Sequence, residues 1–329
     1  MDLDGEWDSF LKDTEYTSVV EQASTGPTPL STLLYVSTNT IISFLNQAID
    51  LKTTFWNIPV IPYSLPRVGV IKKQMKFNST TMQEVEAIEA SVSGYDYGYC
   101  TVLQHIDNSK GMITYKDIRK VTIGISKKDI VSYRVKQKGA FYNCFVLILR
   151  VHIGVYKEFH VKIFNTGKIE IPGVQQVAHI PVIIEALLEV LRPMYPTILY
   201  HKSCEETVLI NSNFNCGYFI NRAALYQLLI SKYNISAVYD SCSYPGIQCK
   251  IYYDDGVTTI PASIAISFMI FRTGSILIVG KCTDKVIREI YAYLVTILFE
   301  EYSQVVDTNC VHSKKETPIR KIKKYILLK

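Results

Sequence analysis

The chain has 329 residues, 48% of them hydrophobic and 20% charged, with a formal net charge of +5. That length allows two domains, or one duplicated domain with extensions, and that composition excludes a disordered chain. Its eight cysteines include no pair at C-x-x-C spacing and none followed by a histidine at zinc-ligand distance, so no metal site is read from them.

In chain order, residues 1–21 carry seven acids against the single Lys12. "STGPTP" follows, then a stretch at 33–49 that predicts a helix, then the proline-rich "IPVIPYSLP" that breaks regular structure. From 70 onwards "VIKKQMKFN" alternates as a strand, and "STTMQEVEAIEAS" opens on a Ser/Thr cap and predicts a helix. A tyrosine- and glycine-rich stretch covers 94–115. The segment 116–138 then carries eight basic residues against Asp117 and Asp129. "FYNCFVLILRV" and "EFHVKIFN" read as strands, a Thr-Gly turn leads to "KIEIPG", and "VAHIPVIIEALLEVLRPM" has helical spacing and stops at Pro193.

The order then begins again. "VLINSNFN" reads as a strand, "NRAALYQLLISKYN" as a helix, and "YPGIQCKIYYD" and "IAISFMIFR" as strands. A second Thr-Gly turn leads to "SILIVG", and "KCTDKVIREIYAYLVTILFEEY" predicts a long amphipathic helix. "IFNTGKIEIPG" at 163–173 and "IFRTGSILIVG" at 270–280 are near copies, which points to an internal duplication. Matching the halves sets "QMKFN" against "NSNFN", and Phe141 against Tyr244. The tail from Val311 carries seven basic residues against Glu316. No signal peptide opens the chain and no apolar run nears the roughly 18–20 residues that span a bilayer, so the expectation is an intracellular, reduced protein.

An acidic head with a basic middle and tail predicts an anionic partner, nucleic acid before membrane. The two helices of each half cover one face of its sheet. By period two, Met269, Phe271, Leu277 and Val279 share one face and Ile270, Ile276 and Ile278 the other. Both faces are apolar, so the uncovered one must meet another sheet, a partner or an unstacked nucleic acid. The six histidines pair with no Cys or acid at ligand or catalytic spacing, and the Gly-Lys at 167–168 is a turn and not a phosphate loop. No residues stand behind an enzymatic reading, and no cofactor is expected.

A duplicated strand–helix–four-strand–helix unit with "IF-x-[ST]-G" and an upstream "YPG" resembles the TATA-box-binding protein family, and its long extensions resemble the family's homologues in large double-stranded DNA viruses. The resemblance covers roughly 70–192 and 205–303, and the second half matches better. It implies an α+β fold: a duplicated saddle, a curved antiparallel sheet with helices on its convex face. It divides the chain into an N-terminal extension (1–69), a first repeat (70–192, with an insertion at about 94–140), a second repeat (205–303) and a basic tail (304–329). In the family the concave sheet lies on the DNA minor groove and four aromatic side chains wedge between base steps. By position these are Phe141, Phe164, Tyr244 and Phe271.

The same resemblance places Asn211, Asn213, Met269, Leu277 and Val279 on the groove floor, with Gln74 and Lys76 as the first-half counterparts of Asn211 and Asn213. Lys162, Lys168 and Lys250 are set to reach phosphates. Glu170 and Pro172 depart from the family pattern, and a carboxylate facing DNA is repulsive. The implied partners are double-stranded, AT-rich DNA, a transcription factor IIB-like factor and RNA polymerase, with the protein monomeric on DNA and no membrane. In a virus the location would be a cytoplasmic factory, the nucleus or the virion. Two functions stand: a minor-groove initiation factor that bends promoter DNA, or an interaction scaffold on the same fold that has lost sequence reading.

Overall fold

The computed structural model describes residues 28–132, 141–253 and 264–308. The acidic stretch 1–21, the basic tail from Val311 and residues 133–140 of the basic segment lie outside the described residues.

In chain order the elements are β1 (Tyr35–Phe44), α1 (Leu51–Asn57), β2 (Gly69–Ser79), α2 (Met82–Ser93), β3 (Gly98–Asp107), β4 (Tyr115–Gly124) and the short α3 (Lys127–Val131). Then come β5 (Cys144–His152), β6 (Tyr156–Phe164), β7 (Lys168–Val174) and α4 (Ile180–Leu191). The remainder is β8 (Glu206–Asn215), α5 (Arg222–Ser231), β9 (Ser236–Val238), β10 (Gly246–Tyr253), β11 (Ile264–Phe271), β12 (Ser275–Gly280), α6 (Asp284–Glu300) and α7 (Tyr302–Val305). The fold class is α+β. The described residues form two compact units, a larger one at 37–210 and a smaller one of 28–36 with 211–308.

The larger unit has the strand order β3-β4-β2-β5-β6-β7-β1, and the smaller β8-β12-β11-β10-β9. Read from β1 and from β8, the two orders match strand for strand as far as β2 and β9: first strand, last, and then inwards along the chain. The hydrogen bonds match as well. Leu45 N donates to Gly167 O and Ile49 N to Asn165 O, while Cys216 N donates to Gly274 O and Ile220 N to Arg272 O. Both Thr-Gly glycines are left-handed, at φ +80 and +79. A Cβ on Gly167 would lie 2.3 Å from Gln47 O, and one on Gly274 2.4 Å from Tyr218 O. Only glycine permits that backbone and that approach together.

These bonds correct two expectations. Residues 35–44 form a strand and not part of a helix, because Val36, Thr38, Thr40, Ile41 and Ile42 are β-branched and the segment pairs with β7 through Asn39, Ile41, Ile42, Ser43 and Phe44. The helix follows as α1, capped by Asp50, whose carboxylate accepts from Lys52 N and Thr53 N. The counterpart of β8 is therefore β1. "QMKFN" in β2 holds the place of β9, and Thr40, Ile42 and Phe44 stand where Asn211, Asn213 and Asn215 stand in the other unit. The stretch 94–124 is part of the sheet, since β3 and β4 add two strands beyond β2.

In the larger unit Phe145, Leu147, Leu149, Val161, Ile163, Ile169 and Ile171 point at the helices and meet Phe55, Ile183 and Leu187 in one buried cluster. In the smaller unit Ile266, Phe268, Ile270, Ile276 and Ile278 are buried with Ile287, Ile290 and Leu294 of α6. The apolar stripe of α6 repeats at helical intervals and matches the period-two rows of the strands beneath it. The longer helices thus take one face of each sheet, while the short α3 lies against the other face of the larger unit, where Asp129 pairs with Lys72 and the Lys127 amide donates to Glu158.

Candidate nucleic-acid interface

On β11 and β12 the burial alternates as the sequence predicts: Ile266, Phe268, Ile276 and Ile278 are buried, and Ser267, Met269, Leu277 and Val279 are half-buried on the opposite face. Cross-strand register sets Val279 against Ser267, Leu277 against Met269, Met269 against Gln248 and Ser267 against Lys250. Asn211, Asn213 and Asn215 are half-buried on the matching face of β8, between the buried Ile210, Ser212 and Phe214. All six second-half floor and phosphate candidates, Asn211, Asn213, Lys250, Met269, Leu277 and Val279, therefore share the face that no helix covers. It is a plane of apolar side chains bordered by amides, with the exposed Lys250 towards the outer strands.

Tyr244 and Phe271 close one end of this plane, their ring centroids 6.1 Å apart. Gly246, opposite Phe271, makes room for both. A methyl group there would stand 2.9 Å from Phe271 Cε1 and 3.2 Å from Tyr244 Cε1. Phe271 is only 9% exposed, so its ring lies sheltered beside Tyr244 and does not project.

The corresponding face of the larger unit is more basic. It carries Lys76 and Gln74 on β2, Lys162 and Phe164 on β6, and Lys168, Glu170 and Pro172 on β7, all half-buried. Gln74 Nε2 donates to Thr122 Oγ1 at 3.0 Å. Glu170 is not an unopposed carboxylate, since Lys162 Nζ donates to its Oε1 at 2.6 Å. The lysines also lie over rings: Lys162 Nζ is 4.5 Å from the Phe141 centroid, Lys168 Nζ 5.4 Å from that of Phe164, and Lys76 Nζ 3.3 Å from that of Tyr142. Each pair keeps an ammonium and an aromatic face together on the surface.

Register changes one assignment. Cys144 lies opposite Phe164 as Gly246 lies opposite Phe271, so the residue two before Cys144, Tyr142, takes the place of Tyr244. The left-handed Asn143 is where the two segments differ. Phe141 and Tyr142 are 52% and 62% exposed, and sequence spacing singled out only the first. Phe44 was missed as well: it is 38% exposed and opposite Lys168. The signal for both was the strand register, which is not local in sequence. Part of this face is covered after all. Arg150 donates from Nη1 to Tyr63 O and Leu65 O, and Tyr156 Oη donates to Pro66 O, so the proline-rich segment straps the far end of β5 and β6.

No family model and no curated protein matches the chain. Among solved structures it is similar to the TBP of Methanococcus jannaschii. The sequences are 11% identical, the match covers 82% of this chain and 99% of that one, and the TM-score is 0.41. Among the described residues no group of three or more His, Cys, Asp or Glu is placed to hold a metal, and no helix is long and apolar enough to cross a membrane.

Proposed function

We propose that the protein binds double-stranded DNA with the uncovered sheet faces of its two units, as a transcription initiation factor of the TATA-box-binding type. The observation that carries this is the face on β8, β10, β11 and β12, where apolar side chains, amides and a closing aromatic pair converge and no helix covers them. Apolar floors with amides at their border suit the minor groove, whose base edges present mainly acceptors in AT-rich sequence. The lysines of the larger unit suit the phosphates, and the Lys162–Glu170 pair removes the repulsion that a lone carboxylate would exert. On this reading the first unit, with Ile42 and Phe44 in place of amides, contributes apolar contact and charge, and the second reads base edges. The smaller unit runs strand–helix–four-strand–helix, and the larger unit runs the same way from β1 once α2, β3, β4 and α3 are set aside, which agrees with the family resemblance. That resemblance extends the proposal to an AT-rich promoter, a transcription factor IIB-like factor and RNA polymerase, and to a duplication beginning at β1.

One observation favours a second reading. Phe271 is sheltered and would have to swing outward to enter a base step. A surface used flat would suit a protein partner, as in a scaffold of a viral transcription complex. Fluorescence anisotropy with labelled duplexes separates the two. Leu277→Glu, at a half-buried position on the uncovered face, is expected to weaken duplex binding at least tenfold and leave the melting temperature within a few degrees. Unchanged affinity, or no affinity of the intact protein for any duplex at low salt, sinks the DNA reading.

A further inference from the structure

Strands β6 and β7 pair at Lys162–Glu170 and Ile163–Ile169. Further along, Pro172 has no N–H to donate and Gly173 is left-handed at φ +79. At that end of β6 the larger unit holds a cleft of about 700 Å³, bounded also by α3 and by Tyr63 of the proline-rich segment. The volume lies within the range of small-ligand sites, about 300–1,000 Å³. Arg150, Lys127, Lys128 and Lys157 line it against one carboxylate, Glu158. Glu158 stands opposite Arg150 in the register, yet its carboxylate accepts from the Lys127 amide at 3.0 Å and forms no ion pair with the guanidinium. Asp129 of α3 is held by Lys72, whose Nζ is 2.7 Å from both carboxylate oxygens. Among the described residues the three lining lysines form no ion pair at all. Arg150 is the fixed member of the group, being only 6% exposed. Its Nη1 donates to Tyr63 O at 3.0 Å and Leu65 O at 2.7 Å, and the guanidinium lies 4.6 Å from the Tyr63 ring centroid. Nε and Nη2 have no hydrogen-bond partner among the described residues, and no side-chain nitrogen there is both buried and unpaired. Those two nitrogens are therefore open to solvent, which Arg150 meets in the cleft.

We infer that this cleft binds a small polyphosphorylated ligand, held by the guanidinium of Arg150 and the ammonium groups of Lys127 and Lys128. A guanidinium edge made of Nε and Nη2 takes two phosphate oxygens through parallel N–H bonds, and lysines add point charges around them. Walls of one sign concentrate the field on an anion that enters. A single phosphate group carries about −2 at most, less than four cations and one carboxylate call for, so the ligand has more than one. A nucleoside polyphosphate and an inorganic polyphosphate share that chemistry, and the rings of Tyr63 and Tyr156 offer a base a surface beside the cations. The site goes beyond the DNA reading and does not depend on it.

The test is titration calorimetry of the full chain with ATP and, separately, with tripolyphosphate at low salt. Both are expected to bind. Tighter binding of ATP makes the ligand a nucleoside polyphosphate, and equal affinity makes it the phosphate chain alone. Lys127→Ala with Lys128→Ala is expected to weaken either probe about tenfold or more, and Lys127→Arg with Lys128→Arg to keep it. Both should melt with the parent. Arg150→Lys keeps the charge and loses the fork, so it should weaken binding too; its melt is followed because Arg150 also holds the proline-rich segment. No binding of either probe at millimolar concentration overturns the site and leaves the DNA reading standing. Unchanged affinity in the alanine variant or in Arg150→Lys also overturns it, as does an equal loss in the alanine and arginine pairs. Each phosphate contact contributes about 0.9 to the slope of log K for duplex against log salt. If duplex displaces ATP and the alanine pair lowers that slope by close to 2, the cluster belongs to the DNA surface and the ligand site is overturned.

Discussion

Among the described residues, Lys73 is the one lysine that is buried completely. It sits on β2 facing the helices, and its Nζ donates to Phe55 O at 2.6 Å, Ile58 O at 2.7 Å and Trp56 O at 3.3 Å. Those carbonyls belong to the C-terminal turn of α1, where the helix leaves acceptors unsatisfied and the dipole favours a cation. Lys73→Ala would strand them and leave a cavity, and is expected to cost about 3 kcal/mol in denaturant unfolding. Burial lowers the ammonium to about 8 from its model-compound value of 10.5. Between those pH values the unfolded chain binds more protons than the folded one, so stability from this group rises with pH there. Melting curves from pH 8 to 10 should show the wild type gaining on Lys73→Met by up to about 1 kcal/mol per pH unit. Phe271 makes a complementary case. Its ring is sheltered, so Phe271→Ala should cost about 2–4 kcal/mol of stability as well as any DNA affinity. Tyr244→Ala, at a half-buried position, should melt near wild type and separate binding from folding.

At the scale of elements, the inserted hairpin depends on one buried acid. Asp117 accepts from Arg119 Nε at 2.7 Å and faces His105 Nδ1 at 2.8 Å across the β3–β4 pair. Burial works to raise its pKa, but the hydrogen bonds from Arg119 and His105 outweigh that and hold the carboxyl below its usual range. A depressed carboxylate contributes stability above the unfolded pKa and loses it as pH falls through the folded one. Asp117→Ala leaves Arg119 without its main partner and is expected to cost about 2–3 kcal/mol. Hydrogen exchange in 98–124 should rise first, ahead of the amides of β5–β7. If exchange rises evenly across the unit, the hairpin is not a separable element.

For the whole molecule the dominant prediction is electrostatic. The lysines on the larger unit's uncovered face and the seven basic residues from Val311 onwards give a steep loss of duplex affinity with salt. Truncation before Lys314 should reduce that slope without altering the preferred sequence in a selection from random duplexes. A change of preferred sequence would place the tail among the base-reading elements.

Much of the architecture was legible because it depends on local patterns. Alternation in "SFMIF" and "SILIV" identified the covered and uncovered faces of β11 and β12, since neighbouring side chains on a strand must point to opposite sides. The paired Thr-Gly turns and the long amphipathic helix were equally local, being matters of backbone freedom and helical period. What the chain did not disclose was set by contacts between distant residues. Residues 33–49 are apolar and polar in an order that either a helix or a strand can use, and only pairing with β7 decides for β1. With β1 went the true first strand of the larger unit, and so Gln74 and Lys76 were set against Asn211 and Asn213. Tyr142 in the place of Tyr244 emerges only from the register of β5 on β6, which a single extra residue alters. Lys73 reads as a surface residue in sequence. It is buried because three carbonyls, brought by a helix some twenty residues earlier, replace the water that its charge would otherwise require.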